Sequence, residues 1–133
     1  MNPTPSQLRR LTQATLPWRL LLGLLIITVG VLALTPAPAV DLGLGWDKLN
    51  HTLAFAALAW CAVLGYRAPR ALQWALLAGL LAFGGLIELL QQFVPNRSAE
   101  WSDLLADAIG IGVGAVCAAV VLQLRREPAI SGP

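Results

Sequence analysis

Four long apolar segments decide what this chain can fold into. A helix that spans a bilayer needs about 20 mostly apolar residues, and segments of that kind occupy residues 18–34, 48–66, 71–93 and 102–124. The sequence lacks the alternating segments of about ten residues that are typical of membrane β-barrels. Short connections favour antiparallel neighbours. The sequence therefore predicts an all-α polytopic membrane protein, a four-transmembrane-helix antiparallel bundle.

The composition supports a membrane location. Hydrophobic residues make up 57% of the 133 residues and charged residues 12%, whereas a typical soluble domain has about 25% charged residues. A small chain exposes a large fraction of its residues, so lipid is the solvent that this composition suits. Cys61 and Cys117 both lie in apolar segments, and we expect them to be free thiols that behave as small hydrophobic side chains.

Basic residues are concentrated at one set of segment ends. They precede the first segment, separate the second from the third, and follow the fourth: Arg9, Arg10, Arg19, Arg67, Arg70, Arg125 and Arg126. The positive-inside rule then predicts a protein of the bacterial cytoplasmic (inner) membrane with both termini in the cytoplasm. The loops at 35–47 and 94–101 are expected to face outward.

The predicted organisation has three parts. Residues 1–17 form a disordered cytoplasmic tail, residues 18–124 the membrane domain and residues 125–133 a second cytoplasmic tail, because both ends are rich in polar residues and proline. An Ala-Pro-Ala sequence at 37–39 resembles a signal-peptide cleavage site. The apolar run before it is longer than a signal core of about 7 to 15 residues, so an uncleaved first span is the favoured alternative.

Ionisable residues gather at the outward ends of three segments. Glu88 lies furthest inside an apolar segment, roughly 10 Å before Pro95 at about 1.5 Å of helical rise per residue. An acid at the centre of a span costs about 2.5 kcal/mol or more on insertion scales. We therefore expect Glu88 to have a partner, and the candidates are Lys48, His51 and Arg97.

Glycines mark the helix faces on which the acids lie. Gly84 precedes Glu88 by four residues, and Gly110 and Gly114 continue the stripe of the two aspartates on the fourth segment. Small residues allow helix backbones to approach closely in membranes. These faces are therefore expected to point into the bundle, where the acids and their partners converge.

Acid–base catalysis is one chemistry that these residues suit. A histidine beside carboxylates can transfer protons, with one acid fixing its tautomer. The candidate catalytic residues are His51, Glu88, Asp103 and Asp107. The same four side chains are of types that bind divalent metals. Since no metal-ligand spacing is present, neither a metal nor another cofactor is predicted.

Binding of an anionic headgroup is the second chemistry. Lysine and arginine bind phosphate well, and the N-termini of the second and fourth helices add positive dipole ends. The candidate binding residues are Asp47, Lys48, Gln91 and Arg97. Structural alternatives stay open for several of them: Asp47 and Asp103 as first-turn acids, Lys48 as a snorkelling side chain, and a Glu88–Arg97 pair that only fixes packing.

The chain resembles the VanZ-like family of small bacterial membrane proteins over about residues 20–124. Three motifs carry the resemblance: Asp47-Lys48-x-x-His51, Glu88-x-x-Gln91-x-Phe93-x-Pro95-x-Arg97 and Asp103-x-x-x-Asp107-x-x-Gly110. The family commonly has Asn where this chain has Asp107, and Gly where it has Asn96. Because the family is named for a teicoplanin-resistance factor, the resemblance implies a role in the cell envelope, in some members reduced sensitivity to a lipoglycopeptide.

Three functions remain open. The favoured one is recognition of a membrane lipid or a lipid-linked envelope precursor. The second is an enzyme in which His51 and Glu88 act on a lipid-linked substrate. Transport is the weakest, because the cytoplasmic halves of the spans contain no acids to continue a path. No nucleic-acid partner is expected, and an oligomer stays open because another subunit can complete the site.

Overall fold

In the computed structural model, the described part of the chain forms four helices. The structure describes residues 5–36 and 46–124, and it describes side chains for 15–36 and 48–124. The helices are α1 (Pro5–Ala33), α2 (Trp46–Gly65), α3 (Arg70–Gln91) and α4 (Trp101–Leu124). No strand occurs within these ranges. The prediction of an all-α fold with four helices is confirmed.

Helix α1 begins earlier than the sequence analysis predicted. It starts at Pro5 and continues through Pro17, so the expected disordered tail over 1–17 is helical from Pro5 onwards. Proline suits the first position of a helix, because its backbone angle is preset and its missing N–H would have no helical partner there. The second predicted tail, 125–133, and the candidate cleavage site at 37–39 lie outside the described residues.

Successive helices run antiparallel. Arg19 near the start of the apolar part of α1 contacts Gly65 at the end of α2, and the α3–α4 connection turns the chain so that Glu88 lies beside Glu100. Helices α2 and α4 consequently run parallel, with His51 beside Asp107. The C-terminal ends of α1 and α3 and the N-terminal ends of α2 and α4 therefore meet, and we call this end of the bundle the polar end.

Helix α2 lies at the centre of the bundle. It contacts all three other helices and supplies most of the buried apolar side chains, namely Phe55, Leu58, Ala59, Cys61, Ala62, Val63 and Leu64. Cys61 and Cys117 are free thiols, as expected. The central place of α2 explains why the polar residues of its first turns are surrounded by the other helices.

Two glycines bring α4 against the backbone of α2. A Cβ atom at Gly110 would collide with the carbonyl oxygen of Thr52, and one at Gly114 would collide with that of Ala56. The Thr52 hydroxyl also donates a hydrogen bond of 3.3 Å to the carbonyl of Ala106 on α4. The prediction that the glycine stripe faces a neighbouring helix is confirmed, and this close approach fixes α2 and α4 against each other.

Three helices are long and apolar enough to cross a membrane. The segments are Thr15–Ala33, Arg70–Gln91 and Trp101–Leu124. Helix α2, which was predicted as a fourth span, is not among them, because polar side chains such as Lys48 and His51 occupy its first turns. The outer surface of the other three helices carries large exposed apolar side chains, among them Leu20, Ile27, Trp74, Leu105 and Val116. Surface of this kind indicates contact with lipid.

Arg19 closes the end of the bundle opposite the polar end. Its Nε donates a hydrogen bond of 2.7 Å to the carbonyl of Gly65, and its guanidinium carbon lies 4.6 Å from the centroid of the Tyr66 ring. The arginine thus satisfies a carbonyl at the end of α2 and makes a cation–π contact. No Asp or Glu of the described residues lies at this end.

Candidate functional site

His51 and Asp107 form a buried hydrogen-bonded pair between α2 and α4. His51 Nδ1 lies 2.9 Å from Asp107 Oδ1, and the side chains are 11% and 0% exposed. Gly84 on α3 leaves room for this carboxylate, because a Cβ atom there would collide with Asp107 Oδ2. A carboxylate that accepts from Nδ1–H orients the imidazole and fixes its tautomer. The predicted stripes of α2, α3 and α4 therefore meet at Asp107.

Glu88 is buried beside this pair, with only 4% of its surface exposed. Its Oε2 accepts a hydrogen bond of 2.9 Å from the backbone N–H of Glu100. Its Oε1 and Asp107 Oδ2 are buried without a hydrogen-bond partner among the described residues. His51, Glu88 and Asp103 each offer one ligand-type atom, and these atoms lie within 4.8 Å of one another. We call His51, Glu88, Asp103 and Asp107 the acid cluster.

Lys48 lies at the rim of the acid cluster and is paired with two acids. Its Nζ is 2.9 Å from Glu100 Oε2 and 3.2 Å from Asp103 Oδ1. The hydrogen bond from Lys48, followed by that from the Ser102 hydroxyl, lowers the pKa of the exposed Glu100 carboxyl below its ordinary value. Lys48 was a candidate partner of Glu88, but the ion pairs that the structure shows for it are with Glu100 and Asp103.

Glu100 is a residue that the sequence analysis did not select for the site. Its side chain binds Lys48 while its backbone N–H binds Glu88. The available signal was its position immediately before a helix with an acid, Asp103, in its first turn, which is too common a pattern to single it out. The backbone hydrogen bond to Glu88 has no signature in the sequence at all.

Arg97 and Gln91 both bind the end of α1. Arg97 Nε and Nη2 donate to the carbonyls of Thr35 and Leu32 at 3.3 and 3.4 Å. Gln91 Nε2 donates to the carbonyl of Ala33 at 3.0 Å. These side chains satisfy carbonyls that the helix end leaves without partners. Arg97, a candidate partner of Glu88 in the sequence analysis, thus also attaches the end of α1 to the connection between α3 and α4.

The turn that presents Arg97 contains a residue in the left-handed region. Asn96 adopts a φ of 59°, in the left-handed region that asparagine tolerates better than most residues. The Arg97 N–H donates a 3.2 Å hydrogen bond to the carbonyl of Val94 and closes the turn. Asn96 thus fills the place where glycine is frequent in the family that the sequence resembles.

A cavity of about 400 Å³ opens between α1, α2 and α3 at the polar end. The apolar part of its wall comes from α1, α2 and α3, namely Val29, Leu32, Ala33, Ala54, Phe55 and Ile87. The polar side chains in the wall are Asn50, His51, Gln91 and Arg97. Of the candidate residues, His51, Gln91 and Arg97 line it. The α1 residues and Asn50 were not predicted, because nothing in the sequence shows which side chains border a cavity.

The candidate residues therefore fall into two groups on either side of α2. The acid cluster, with Lys48 at its rim, lies towards α4, while Gln91 and Arg97 lie towards α1. His51 belongs to both, since it contacts Asp107 and lines the cavity. Asp47 lies in the first turn of α2, but its side chain is outside the described residues.

Fold and site together define a small polytopic membrane protein with buried acids at one end of a helical bundle. The chain belongs to the VanZ/LLP1 family, whose family model matches residues 7–122. This match confirms the resemblance that the three motifs indicated. No curated protein and no solved structure shows significant similarity to the chain.

Proposed function

We propose that this VanZ/LLP1 protein binds the headgroup of an anionic lipid or of a lipid-linked cell-envelope precursor. The observation that carries the proposal is the cavity between α1, α2 and α3, which joins an apolar wall to a polar side with Arg97 and His51. A volume of about 400 Å³ lies within the usual range for small-molecule sites, roughly 300 to 1,000 Å³. Such a lining suits an amphiphile, with its headgroup at the polar side and its chain along the apolar wall.

The charges around the cavity favour an anion. Arg97 is the charged residue of its wall, His51 can accept a proton, and no acid is among the described residues that line it. The carboxylates lie on the far side of α2, where Lys48 neutralises part of their charge. Arginine binds phosphate through a planar fork of N–H groups, so Arg97 is the residue expected to contact the headgroup.

The proposed orientation places this cavity on the outer face of the bacterial inner membrane, with both termini in the cytoplasm. Arg67 and Arg70 flank the connection between α2 and α3 at the opposite end, which supports a cytoplasmic position for that end. An outward cavity meets lipids of the outer leaflet and envelope precursors. Reduced sensitivity to teicoplanin is one expected consequence, since that drug binds cell-wall precursors.

Lipid binding by matched arginine variants tests the proposal. We expect Arg97→Gln to weaken binding of an anionic lipid, phosphatidylglycerol, by tenfold or more, because a hydrogen bond to a charged group contributes about 1.5–3 kcal/mol. Arg67→Gln is the control, since Arg67 is exposed at the opposite end. Binding is measured by native mass spectrometry of the detergent-purified proteins, with phosphatidylethanolamine as the zwitterionic comparison.

Two results would contradict lipid binding in the cavity. One is equal affinity of wild type and Arg97→Gln for phosphatidylglycerol while circular dichroism shows both to be folded. The other is equal loss of affinity in Arg67→Gln, which would indicate a general charge effect. Arg97→Lys is the third variant: it keeps the charge but loses the fork, so we expect an intermediate affinity.

An enzyme is the second candidate, favoured by the His51–Asp107 pair. His51 lines the cavity and is oriented by a fully buried carboxylate, which is the arrangement of a general base that removes a proton from water or a hydroxyl group. Mass spectrometry of envelope lipids separates the candidates. A lipid that changes in cells making the wild type, but not in cells making His51→Ala or no protein, supports the enzyme; unchanged profiles support the binding protein.

A further inference from the structure

We propose that His51, Glu88 and Asp103 form a binding site for a divalent transition-metal ion. One residue comes from each of α2, α3 and α4, and one ligand-type atom of each lies within 4.8 Å of the others. Bonds of about 2.0–2.2 Å from nitrogen and oxygen to Zn²⁺ require these atoms to move inward by less than about 1 Å. The site goes beyond lipid binding and does not depend on it.

An unpartnered oxygen separates this site from an ordinary group of acids. Glu88 is 96% buried, since only 4% of its surface is exposed, and its Oε1 has no hydrogen-bond partner in the described part of the chain. A buried carboxylate is stable only when its oxygens are bonded or its charge is balanced. A cation held between Glu88, Asp103 and His51 supplies both.

The charges on the α4 side of α2 leave room for a divalent cation. Four acids lie there: Glu88, Glu100, Asp103 and Asp107. The described cations near them are Lys48 and, when it is protonated, His51. Arg97 donates hydrogen bonds to carbonyls of α1 and lines the cavity on the other side of α2. A metal ion of charge 2+ balances the excess of negative charge.

The donor set indicates the class of metal. One imidazole nitrogen and two carboxylate oxygens suit Zn²⁺, Mn²⁺ or Fe²⁺, whereas Mg²⁺ and Ca²⁺ prefer oxygen ligands alone. Asp107 holds the His51 ring through Nδ1, as carboxylates commonly do for histidines that bind metals. Three protein ligands leave a coordination position open for water or a substrate oxygen.

A small crevice gives an ion access to the site. It has a volume of about 60 Å³ and lies between α3 and the start of α4, with Glu88 and Glu100 in its wall. On the other side His51 borders the larger cavity. An ion bound by the three residues would therefore lie between the crevice and the proposed headgroup site.

Metal content of purified variants tests the site. The full chain is purified in detergent with a tag that contains no histidine, stripped with EDTA, and titrated with Zn²⁺ or Mn²⁺ in the absence of added lipid. We expect one ion per chain by plasma mass spectrometry, and at least a tenfold weaker affinity in Glu88→Gln and Asp103→Asn. Glu100→Gln is the matched control and should keep the wild-type affinity, because the Glu100 carboxylate contacts Lys48 and Ser102. Its hydrogen bond to Glu88 comes from the backbone N–H, which the substitution keeps.

The outcomes are decisive even when a variant is unstable. Glu88→Gln keeps an oxygen that accepts from the Glu100 N–H, so we expect it to fold, and circular dichroism checks this. His51→Ala is a further variant, which removes the imidazole ligand. Failure of the stripped wild type to take up either ion in a 1:1 ratio would overturn the proposal, as would wild-type affinity in folded Glu88→Gln. Lipid binding measured in EDTA fails or succeeds independently, which keeps the two proposals separable.

Discussion

The two sides of α2 at the polar end differ in how they are held together. On the α4 side, the backbones of Thr52 and Ala56 contact two glycines of α4. The carboxyl side chains on this side that are buried are Glu88, Asp103 and Asp107. On the α1 side, a cavity of about 400 Å³ remains, and α1 is attached through hydrogen bonds from Gln91 and Arg97 to its carbonyls. Close packing positions reactive groups precisely, whereas the looser side has space for a ligand.

His51 connects these two environments. Its ring is hydrogen-bonded to Asp107 on the packed side and lines the cavity on the other. A ligand in the cavity would thus meet an imidazole that is oriented by its hydrogen bond to Asp107. Substitutions on the packed side and on the cavity side are therefore expected to have different effects on stability.

A large side chain at Gly114 should break the packed side. Gly114→Leu places atoms where the Ala56 carbonyl lies, and overpacking of this kind costs about 3 kcal/mol or more when backbone cannot move aside. Gly112→Leu is the control, because a Cβ atom there meets nothing within 4 Å. Thermal unfolding in detergent, followed by circular dichroism, should show a large loss for the first variant only. Similar unfolding temperatures for both would contradict the proposed contact.

Removal of one polar attachment should loosen α1 to a smaller extent. Gln91→Leu removes the hydrogen bond to the carbonyl of Ala33, and we expect a loss of about 1–2 kcal/mol because that carbonyl loses its partner. The neighbouring Gln92 is exposed, so Gln92→Leu should change stability by less than about 0.5 kcal/mol. The readout is the same unfolding measurement, and a larger effect at Gln92 would be the opposite of this expectation.

Neutralisation of Glu100 should have the smallest effect and a defined pH dependence. The Lys48 ammonium lowers the pKa of Glu100 in the folded state, so the ion pair contributes fully above the unfolded pKa, about 4.3. That contribution disappears as the pH falls through the lower folded value. The unfolding temperature of wild type should therefore exceed that of Glu100→Gln slightly at neutral pH, and the difference should vanish in acid. A difference that grows on acidification would reverse the assigned sign.

The helical pattern and the small-residue stripe could be predicted because both follow from local sequence. Segment length predicted four helices, and the spacing of Gly110 and Gly114 predicted the face of α4 that packs. The same spacing placed Glu88 and Asp107 on inward faces, and both are buried. Periodicity carries this information because each helix presents one face to its neighbours.

The partners of the long polar side chains could not be predicted. Arg97 and Gln91 bind backbone carbonyls of α1, and a carbonyl is present at every residue, so sequence gives no indication of which one is reached. Charge alone offered Lys48, His51 and Arg97 as partners of Glu88, whereas the hydrogen bond of its Oε2 comes from the backbone N–H of Glu100. The start of α1 was also missed, because the polar residues before Trp18 have the composition of a tail.

The contact between Gly114 and α2 has a consequence for genetics. The atom that a larger side chain would strike is the carbonyl oxygen of Ala56, and every amino acid carries that atom. No replacement at position 56 can therefore restore space for a substituted Gly114, and a screen for second-site suppressors should return none there.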